Sequence, residues 1–492
     1  MSAILNKRRA GILLHITSLP SLGAIGDLGQ EAYHFVRFLH DTDITVWQTL
    51  PLGITHADRS PYQCLSAHAG NPELISVDWL CKQGWLRLSE ISTEAKSAFE
   101  YPKSLLLTEA FHGFLVRANK SDKLDFAHFC QAKAFWLDDF ALFMALRKEF
   151  RQQCWNQWPE HFKNREAKAL QEARRRLSTK IDCIKFQQYV FFRQWLELKA
   201  YAGEYGVLMF GDIPIFVSYD SADVWANREV FKLDDNGEML VVAGVPPDYF
   251  SATGQRWGNP HFNWDSLKNT GFQWWIDRLK TQLELLDILR IDHFRGLEAA
   301  WEIPACEETA INGQWVKAPG NALLSAIKEA LGDIPLVAED LGIITPEVEE
   351  LRDEFNLPGM KILQFAFGDG PENPYLPSNY ISNCVAYTGT HDNDTTLGWS
   401  ENLSTEEQDK IYDYLGNPQT SIHCALIHAA LGSVANLAVI PMQDILELGS
   451  EHRMNTPGTT EGNWAWRFHW DQVTPERSEK LGHLVRLFNR QV

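Results

Sequence analysis

Eight short runs of apolar, strand-favouring residues are spread along this chain, and segments of helical periodicity lie between several of them. The runs are ILLHITSL at 12–19, VWQTLPL at 46–52, GVLMFGDIPIFV at 206–217 and DILRIDHF at 287–294. They continue with LVAEDLG at 336–342, MKILQFAFG at 360–368, CVAYTGTHD at 384–392 and LAVIPMQDI at 437–445. Most are near-continuous rather than alternating, the pattern of parallel strands buried on both faces. Residues 28–41, 272–286, 322–331 and 345–355 carry apolar side chains at helical spacing. In the last of these, Thr345 and Pro346 supply a cap residue and a first-turn proline. Eight strands alternating with helices predict an α/β fold, a (β/α)8 TIM barrel.

A plain barrel needs about 250 residues, and the chain has 492. The surplus predicts one catalytic barrel over residues 1–492 with large, mainly helical insertions between barrel strands. Residues 53–205, rich in Leu, Lys, Glu and Gln, form the first insertion, after strand two. A second, 218–286, carries the loop GVPPDYFSATGQRWGNP at 244–260. The opening MSAILNKRRAGILLHITSLP imitates a secretion signal, but His15 and Thr17 interrupt its apolar run and no small-residue cleavage site follows. It reads as the first strand. No stretch of 18 apolar residues is present, so no membrane helix is expected.

Charge and cysteine usage narrow the partners. The chain has 45 Lys and Arg against 64 Asp and Glu, a formal net charge of −19, and shows no basic stripe. That balance argues against nucleic acid and leaves a neutral ligand open. Eight cysteines, at 64, 81, 130, 154, 183, 306, 384 and 424, contain no CxxC pair. They read as reduced thiols of a cytoplasmic protein, a monomer or weak homo-oligomer with no membrane partner. Trp is abundant, at 18 residues, and most of these are expected in the core. Those in QRWGNP and EGNWAWRF sit among loop residues, where a flat aromatic face suits a flat neutral ligand such as a pyranose ring.

The strand ends carry the polar residues. The fourth run ends in Arg290, Asp292, His293 and Arg295, the fifth in Glu339 and Asp340, and the seventh in His391, Asp392, Asn393 and Asp394, while the third contains Asp212. In this fold the strand C-termini form the active-site mouth. Glycosyl transfer needs one ionised carboxylate to attack an anomeric carbon and one protonated carboxyl to release the leaving oxygen. Arg290, two residues before Asp292, projects the same way and is expected to hold Asp292 ionised. Glu339 is then the acid, raised by burial and by neighbouring carboxylates. Asp392 is placed to bind sugar hydroxyls, with His293 and His391 as donors to the same sugar. A metal-assisted hydrolase on the same barrel remains an alternative at this level, since Asp, Glu and His are also metal ligands. Against it, strand one offers only His15 and no His-x-His pair.

RIDHFRG at 290–296, VAEDLG at 337–342 and YTGTHDNDT at 387–395 resemble the 4-α-glucanotransferases, the amylomaltases or disproportionating enzymes of glycoside hydrolase family 77. The similarity spans nearly the whole chain. It includes GILLHITSLPS at 11–21, SPYQ at 60–63, GNP at 70–72, GDIPIFVSYDSADVWANREVF at 211–231, LPGMKILQFAF at 357–367 and MNTPGT at 454–459. The loop at 244–260 is the most family-specific, whereas α-amylase-type enzymes share the core of RIDHFRG. The resemblance implies retaining double displacement on α-1,4-glucans such as maltooligosaccharides, starch or glycogen, without metal or other cofactor. A glucan is the donor and glucose or a maltooligosaccharide the acceptor. It implies Asp292 as nucleophile, Glu339 as general acid/base and Asp392 as transition-state stabiliser, with Arg290, His293 and His391 supporting the cleaved bond. Tyr62, Asp212, Asp248, Gln255 and Trp257 are implied at the glucan site, and Tyr249 and Phe250 on a flap over the acceptor side. The sequence departs from the family pattern at PSLGAIGDLG (20–29), ITHADR (54–59) and SAHAGNP (66–72), positions that bear on outer subsites and chain-length preference. An α-glucan hydrolase on the same machinery and a non-catalytic glucan-binding protein are the rival readings.

Overall fold

The computed structural model describes residues 3–91, 101–247 and 251–491. Eight parallel strands form one sheet: β1 (Arg9–Leu13), β2 (Val46–Gln48), β3 (Leu208–Pro214), β4 (Ile288–Asp292), β5 (Leu336–Ala338), β6 (Gly359–Ile362), β7 (Cys384–Tyr387) and β8 (Leu437–Pro441). Their spatial order is β6-β7-β8-β1-β2-β3-β4-β5, the chain order wound once around a barrel. The circle closes at the β5/β6 seam. There the Ala338 N–H donates to the Pro358 carbonyl at 2.9 Å, and Asp340 Oδ1 accepts from the Met360 N–H at 2.7 Å. Gly359 leaves room for that carboxylate: a Cβ there would lie 2.2 Å from Asp340 Oδ2 and force it to shift.

Every expected strand is present, but most end earlier than the apolar runs. β1 stops at Leu13, and Ile16–Ser18 forms a 3-10 turn; β7 stops at Tyr387 although its run continues to 392. The reason is geometric. Beyond these points the chain leaves its neighbours and bends over the mouth, yet Leu14, Ile16 and Leu19 stay buried beneath what lies above them. Local hydrophobicity persists where strand pairing does not.

Within the strands the side chains alternate between two cores, as the period of two requires. Val46, Phe210, Ile288, Val337, Met360, Val385, Tyr387 and Val439 fill the barrel interior. Trp47, Met209, Leu289, Ala338, Ala386 and Ala438 face the surrounding helices. Arg290 and Asp292 continue the inward series begun by Ile288, so the strand itself aims them up the barrel axis.

The expected helices appear as Gln30–Asp41, Gln273–Leu285, Gly320–Leu331 and Pro346–Glu354. Pro346 occupies the first turn of the last, although the Thr345 side chain makes no capping bond. Between β2 and β3 the chain forms several helices, the longest Ser178–Glu204. That helix clamps the preceding loop with two buried amides. Gln188 exchanges hydrogen bonds with the Gly70 backbone at 2.9 and 2.9 Å, and Gln194 with Ser76 at 2.8 and 3.1 Å. The loop so held carries Tyr62. Strands Gln255–Pro260, Val241–Val245, Ala299–Pro304 and Gln314–Lys317 form a separate antiparallel sheet in that order. It combines chain from the β3–β4 connection with a hairpin after β4, which brings Trp257 beside the end of β4.

Candidate active site

Arg290 organises the mouth. It is buried, with 5% of its surface exposed, and its guanidinium spans two carboxylates. Nη1 contacts Asp212 Oδ2 at 2.5 Å and Nη2 contacts Asp292 Oδ1 at 2.8 Å, while Nε points at the Met360 sulfur at 3.3 Å. Strand register explains the first contact: Arg290 lies directly beside Asp212 across β3 and β4. Burial alone pulls a guanidinium down, but Asp212 and Asp292 outweigh it and hold Arg290 well above its usual value. Tyr62 joins the network from the clamped loop, its hydroxyl donating to Asp212 Oδ2 at 2.7 Å.

The two carboxyl groups central to the site differ in protonation. Burial pushes Asp292 up to about 6, aided by Asp212 and Asp392 and opposed by Arg290 and His391. The expected cation is in place and works toward ionisation, while desolvation sets the net direction of the shift. Glu339 rises further, to about 8, through burial and the charge of Asp292. Arg290 and two backbone donors oppose that rise. The donors are His293 N–H to Oε2 at 2.6 Å and Leu341 N–H to Oε1 at 3.0 Å. Near neutral pH the pair thus offers one mostly ionised and one mostly protonated carboxyl, the division that acid/base work on a glycosidic bond requires. Neighbouring Asp340 has a different task. Successive side chains point to opposite faces, so Asp340 turns away to the β5/β6 seam, where Arg352 meets it at 2.6 Å.

Asp392 sits on the loop after β7. Its Oδ1 accepts from Asn455 Nδ2 at 2.7 Å, and its Oδ2 lies 3.3 Å from His391 Nε2. Loss of water works against ionisation there, but His391, Asn455 and Arg290 prevail and hold Asp392 below the usual carboxylate range. The His391 ring stacks on Tyr62, with centroids 5.2 Å apart and planes 15° from parallel. His293 adopts a left-handed backbone conformation, φ 53°, that lets its N–H reach Glu339. Burial, Arg295 and His261 press its imidazole down to about 3, so it is neutral, and its buried Nε2 has no partner. Trp257 packs edge-on against that ring at 4.8 Å, and its Nε1 donates to Gln255 Oε1 at 3.2 Å, with Gln255 itself exposed.

The structure therefore joins Asp292, Glu339, Asp392, Asp212, Arg290, Tyr62, His293, His391 and Trp257 in one network, with Gln255 at its margin. Asp248, Tyr249 and Phe250 lie outside the described residues. Sequence reading missed Asn455; it noted the Trp residues of EGNWAWRF without placing Trp464, whose ring lies 6.0 Å from Tyr62 and 5.9 Å from His391. It also missed Arg453, which donates to the Asp392 carbonyl at 3.0 Å, and gave no role to His15, buried and bonded through Nδ1 to Thr49 Oγ1 at 3.0 Å. The signals were present in part: Asn455 lies in MNTPGT and Trp464 in the aromatic loop EGNWAWRF. Among the described residues the site gathers no cluster of His, Cys, Asp and Glu suited to a metal; the one such cluster lies elsewhere, at His423, Cys424 and Glu447.

Known proteins resemble this chain over nearly its whole length. A family model described as 4-alpha-glucanotransferase matches residues 14–474. The 4-alpha-glucanotransferase of Synechocystis sp. is 51% identical over 502 aligned positions, covering 99% of both chains. That of Thermus thermophilus is 50% identical, covering 98% of this chain and 99% of the other. Among solved structures, the amylomaltase from Streptococcus agalactiae in complex with acarbose superposes with a TM-score of 0.94 at 39% identity, covering 99% of this chain and 100% of that one.

Proposed function

The chain belongs to the 4-alpha-glucanotransferase family, and from that membership we propose how its residues divide the work. The reaction moves segments of α-1,4-glucan to glucose or to another glucan, with retention, by double displacement through a covalent glycosyl-enzyme. In our assignment Asp292 attacks the anomeric carbon as Glu339 protonates the departing 4-oxygen. The acceptor hydroxyl then enters, Glu339 takes its proton, and the new glycosidic bond expels Asp292. Asp392, kept ionised by His391 and Asn455, binds the sugar hydroxyls and stabilises positive charge at the ring in the transition state.

One observation carries the assignment. Asp292 and Glu339, on adjacent strand ends, are driven to about 6 and about 8 beside a single buried arginine. Tyr62, Asp212, Trp257, Gln255, His293 and His391 are assigned to the glucan groove. Asp248, Tyr249 and Phe250 are assigned to its acceptor side on sequence resemblance alone. Transfer rather than hydrolysis requires the glycosyl-enzyme to meet a bound sugar before water, which aromatic walls and a covering loop favour. We place the enzyme in the cytoplasm as a monomer or weak homo-oligomer; all eight cysteines are free, which suits a reducing compartment. No helix among the described residues is long and apolar enough to cross a membrane.

Incubation with maltotriose tests the function. Glucose plus a ladder of longer maltooligosaccharides, with constant total reducing ends, is the expected result. Glucose and maltose with rising reducing ends would make the chain a hydrolase, and unchanged maltotriose would overturn the assignment.

A further inference from the structure

A second reactive cluster lies away from the mouth, on the outer helices. Cys424, half-buried near the start of helix Ile422–Gly432, faces helix Pro475–Leu487. Lys480 Nζ from that helix donates to its sulfur at 3.2 Å and pairs with Glu447 at 3.4 Å. His423 Nδ1 lies 3.7 Å from the same sulfur, while its Nε2 is engaged with the Asp444 carbonyl at 2.7 Å. Arg477 approaches Glu447 at 3.7 Å. These groups border a cleft of about 370 Å³ whose apolar wall includes Ile427, Leu481 and Leu484, with His428 on its rim. Cysteine, donors and cleft come from three separate elements, so the arrangement is a built pocket.

The thiols of this protein separate sharply. Burial pushes six of the others up: Cys64, Cys81, Cys130, Cys154, Cys183 and Cys384. Cys424 goes the other way, down to about 6, first through His423 and then through Ser421, Lys480 and Thr420 against the effect of burial. A thiolate beside a lysine in an open cleft is a nucleophile. The three groups His423, Cys424 and Glu447 also bring ligand atoms within 4.8 Å of one another. Yet Lys480 already contacts both the sulfur and Glu447, and Arg477 contacts Glu447, so a divalent cation would have to displace two positive charges. The chemistry of the cleft favours exchange over metal binding.

We propose that Cys424 is a thiol–disulfide exchange site for a low-molecular-weight disulfide that bears carboxylates. The Cys424 thiolate supplies an electron pair to one sulfur of the incoming disulfide. The new S–S bond forms as the old one breaks, and the expelled thiolate leaves with that bonding pair and takes a proton from water. One disulfide is consumed and one is made, so no further oxidant is needed. Once the sulfur is bonded, Lys480 keeps Glu447 but loses the thiolate, and a carboxylate of the adduct takes the thiolate's place.

The test treats the native protein with glutathione disulfide at pH 6, quenches with acid and maps adducts by peptide mass spectrometry. Exposed Cys306 is the internal control. With Lys480 and His423 at its sulfur, Cys424 is expected to load about tenfold faster than Cys306. Lys480→Gln slows loading at Cys424 several-fold and leaves Cys306 unchanged. Glutathione disulfide reacts at Cys424 faster than uncharged bis(2-hydroxyethyl) disulfide. Faster loading of Cys306 at pH 6, insensitivity to Lys480→Gln, equal rates for the two disulfides, or stoichiometric Zn(II) binding that blocks the adduct would each overturn the proposal.

Discussion

Two buried arginines mark the two ends of the barrel. Arg290 at the C-terminal mouth and Arg490 at the N-terminal floor are 5% and 0% exposed. Their partners differ in kind. Arg290 binds the carboxylates of Asp212 and Asp292. Arg490 binds only backbone carbonyls: Leu431 at 2.5 Å, Arg9 at 2.9 Å and Ser433 at 3.0 Å, with longer reaches to Asn436 and Ala430. Carbonyls are fixed dipoles that do not titrate, so Arg490 acts as a static tie between β1 at Arg9 and the 430–436 segment, several of whose carbonyls it shares with Arg8, Arg9 and Ser433. Carboxylates change charge with protonation and attack, so in the assignment proposed above Arg290 sets the field in which a bond is broken. The same group at similar depth thus stabilises the floor and tunes the mouth, in line with the usual division between the two faces of this fold.

The sharpest test of the mouth is Asp292→Asn, which removes the assigned nucleophile. Turnover should fall by about 10⁴-fold or more, while the unfolding midpoint and glucan affinity stay near the parent values. Substantial residual turnover would remove Asp292 from its role. Arg290→Lys comes next. Lysine keeps the charge but loses the fork that spans Asp212 and Asp292, and a loss in kcat of about 10²-fold is expected with the fold intact. The pH profile reads the same machinery. In the proposed roles Asp292 works ionised and rises to about 6, so kcat/KM should fall below that pH; Glu339 works protonated and rises to about 8, so it should fall above. Because the two interact, the limbs belong to the pair. At the floor, Arg490→Met should leave kcat within about twofold and cost about 3 kcal/mol of stability in urea unfolding, from the charge-assisted hydrogen bonds lost to Leu431, Arg9 and Ser433. If that variant lost turnover while keeping its unfolding midpoint, the contrast between the two ends would collapse.

How far the sequence discloses this contrast depends on the distance over which each signal acts. Strands buried on both faces must be apolar throughout, so all eight were visible in the chain. Their ends were not, because Leu14, Ile16 and Leu19 remain buried after pairing stops. Asp292 and Glu339 stood out as carboxyls ending apolar strands. Asp340 stood beside Glu339 at the same strand end, and the alternation of side chains sends it to the seam. Asn455 reaches Asp392 because the 453–464 loop crosses the mouth, where its N–H meets the His391 carbonyl at 3.1 Å, a tertiary approach with no local signature. Arg490, in the unremarkable FNRQV, gave no hint of its role at all.

The smallest expected effect is also the most discriminating for the mouth. Tyr62→Phe keeps the ring stacked on His391 and deletes only the hydroxyl that donates to Asp212. Asp212 Oδ1 is already buried without a partner, so the variant leaves Arg290 as the sole side-chain donor to that carboxylate among the described residues. The loss of one hydrogen bond to a charged acceptor predicts about 1.5 kcal/mol, or about tenfold in kcat/KM. The way the loss divides is informative. If Asp212 draws Arg290 toward itself, Asp292 is held less well and kcat falls. If Tyr62 only lines the groove, KM rises and kcat stands. A loss confined to KM would confine the electrostatic network to Arg290 and its two carboxylates, whereas a loss in kcat would extend it to the loop clamped by Gln188 and Gln194.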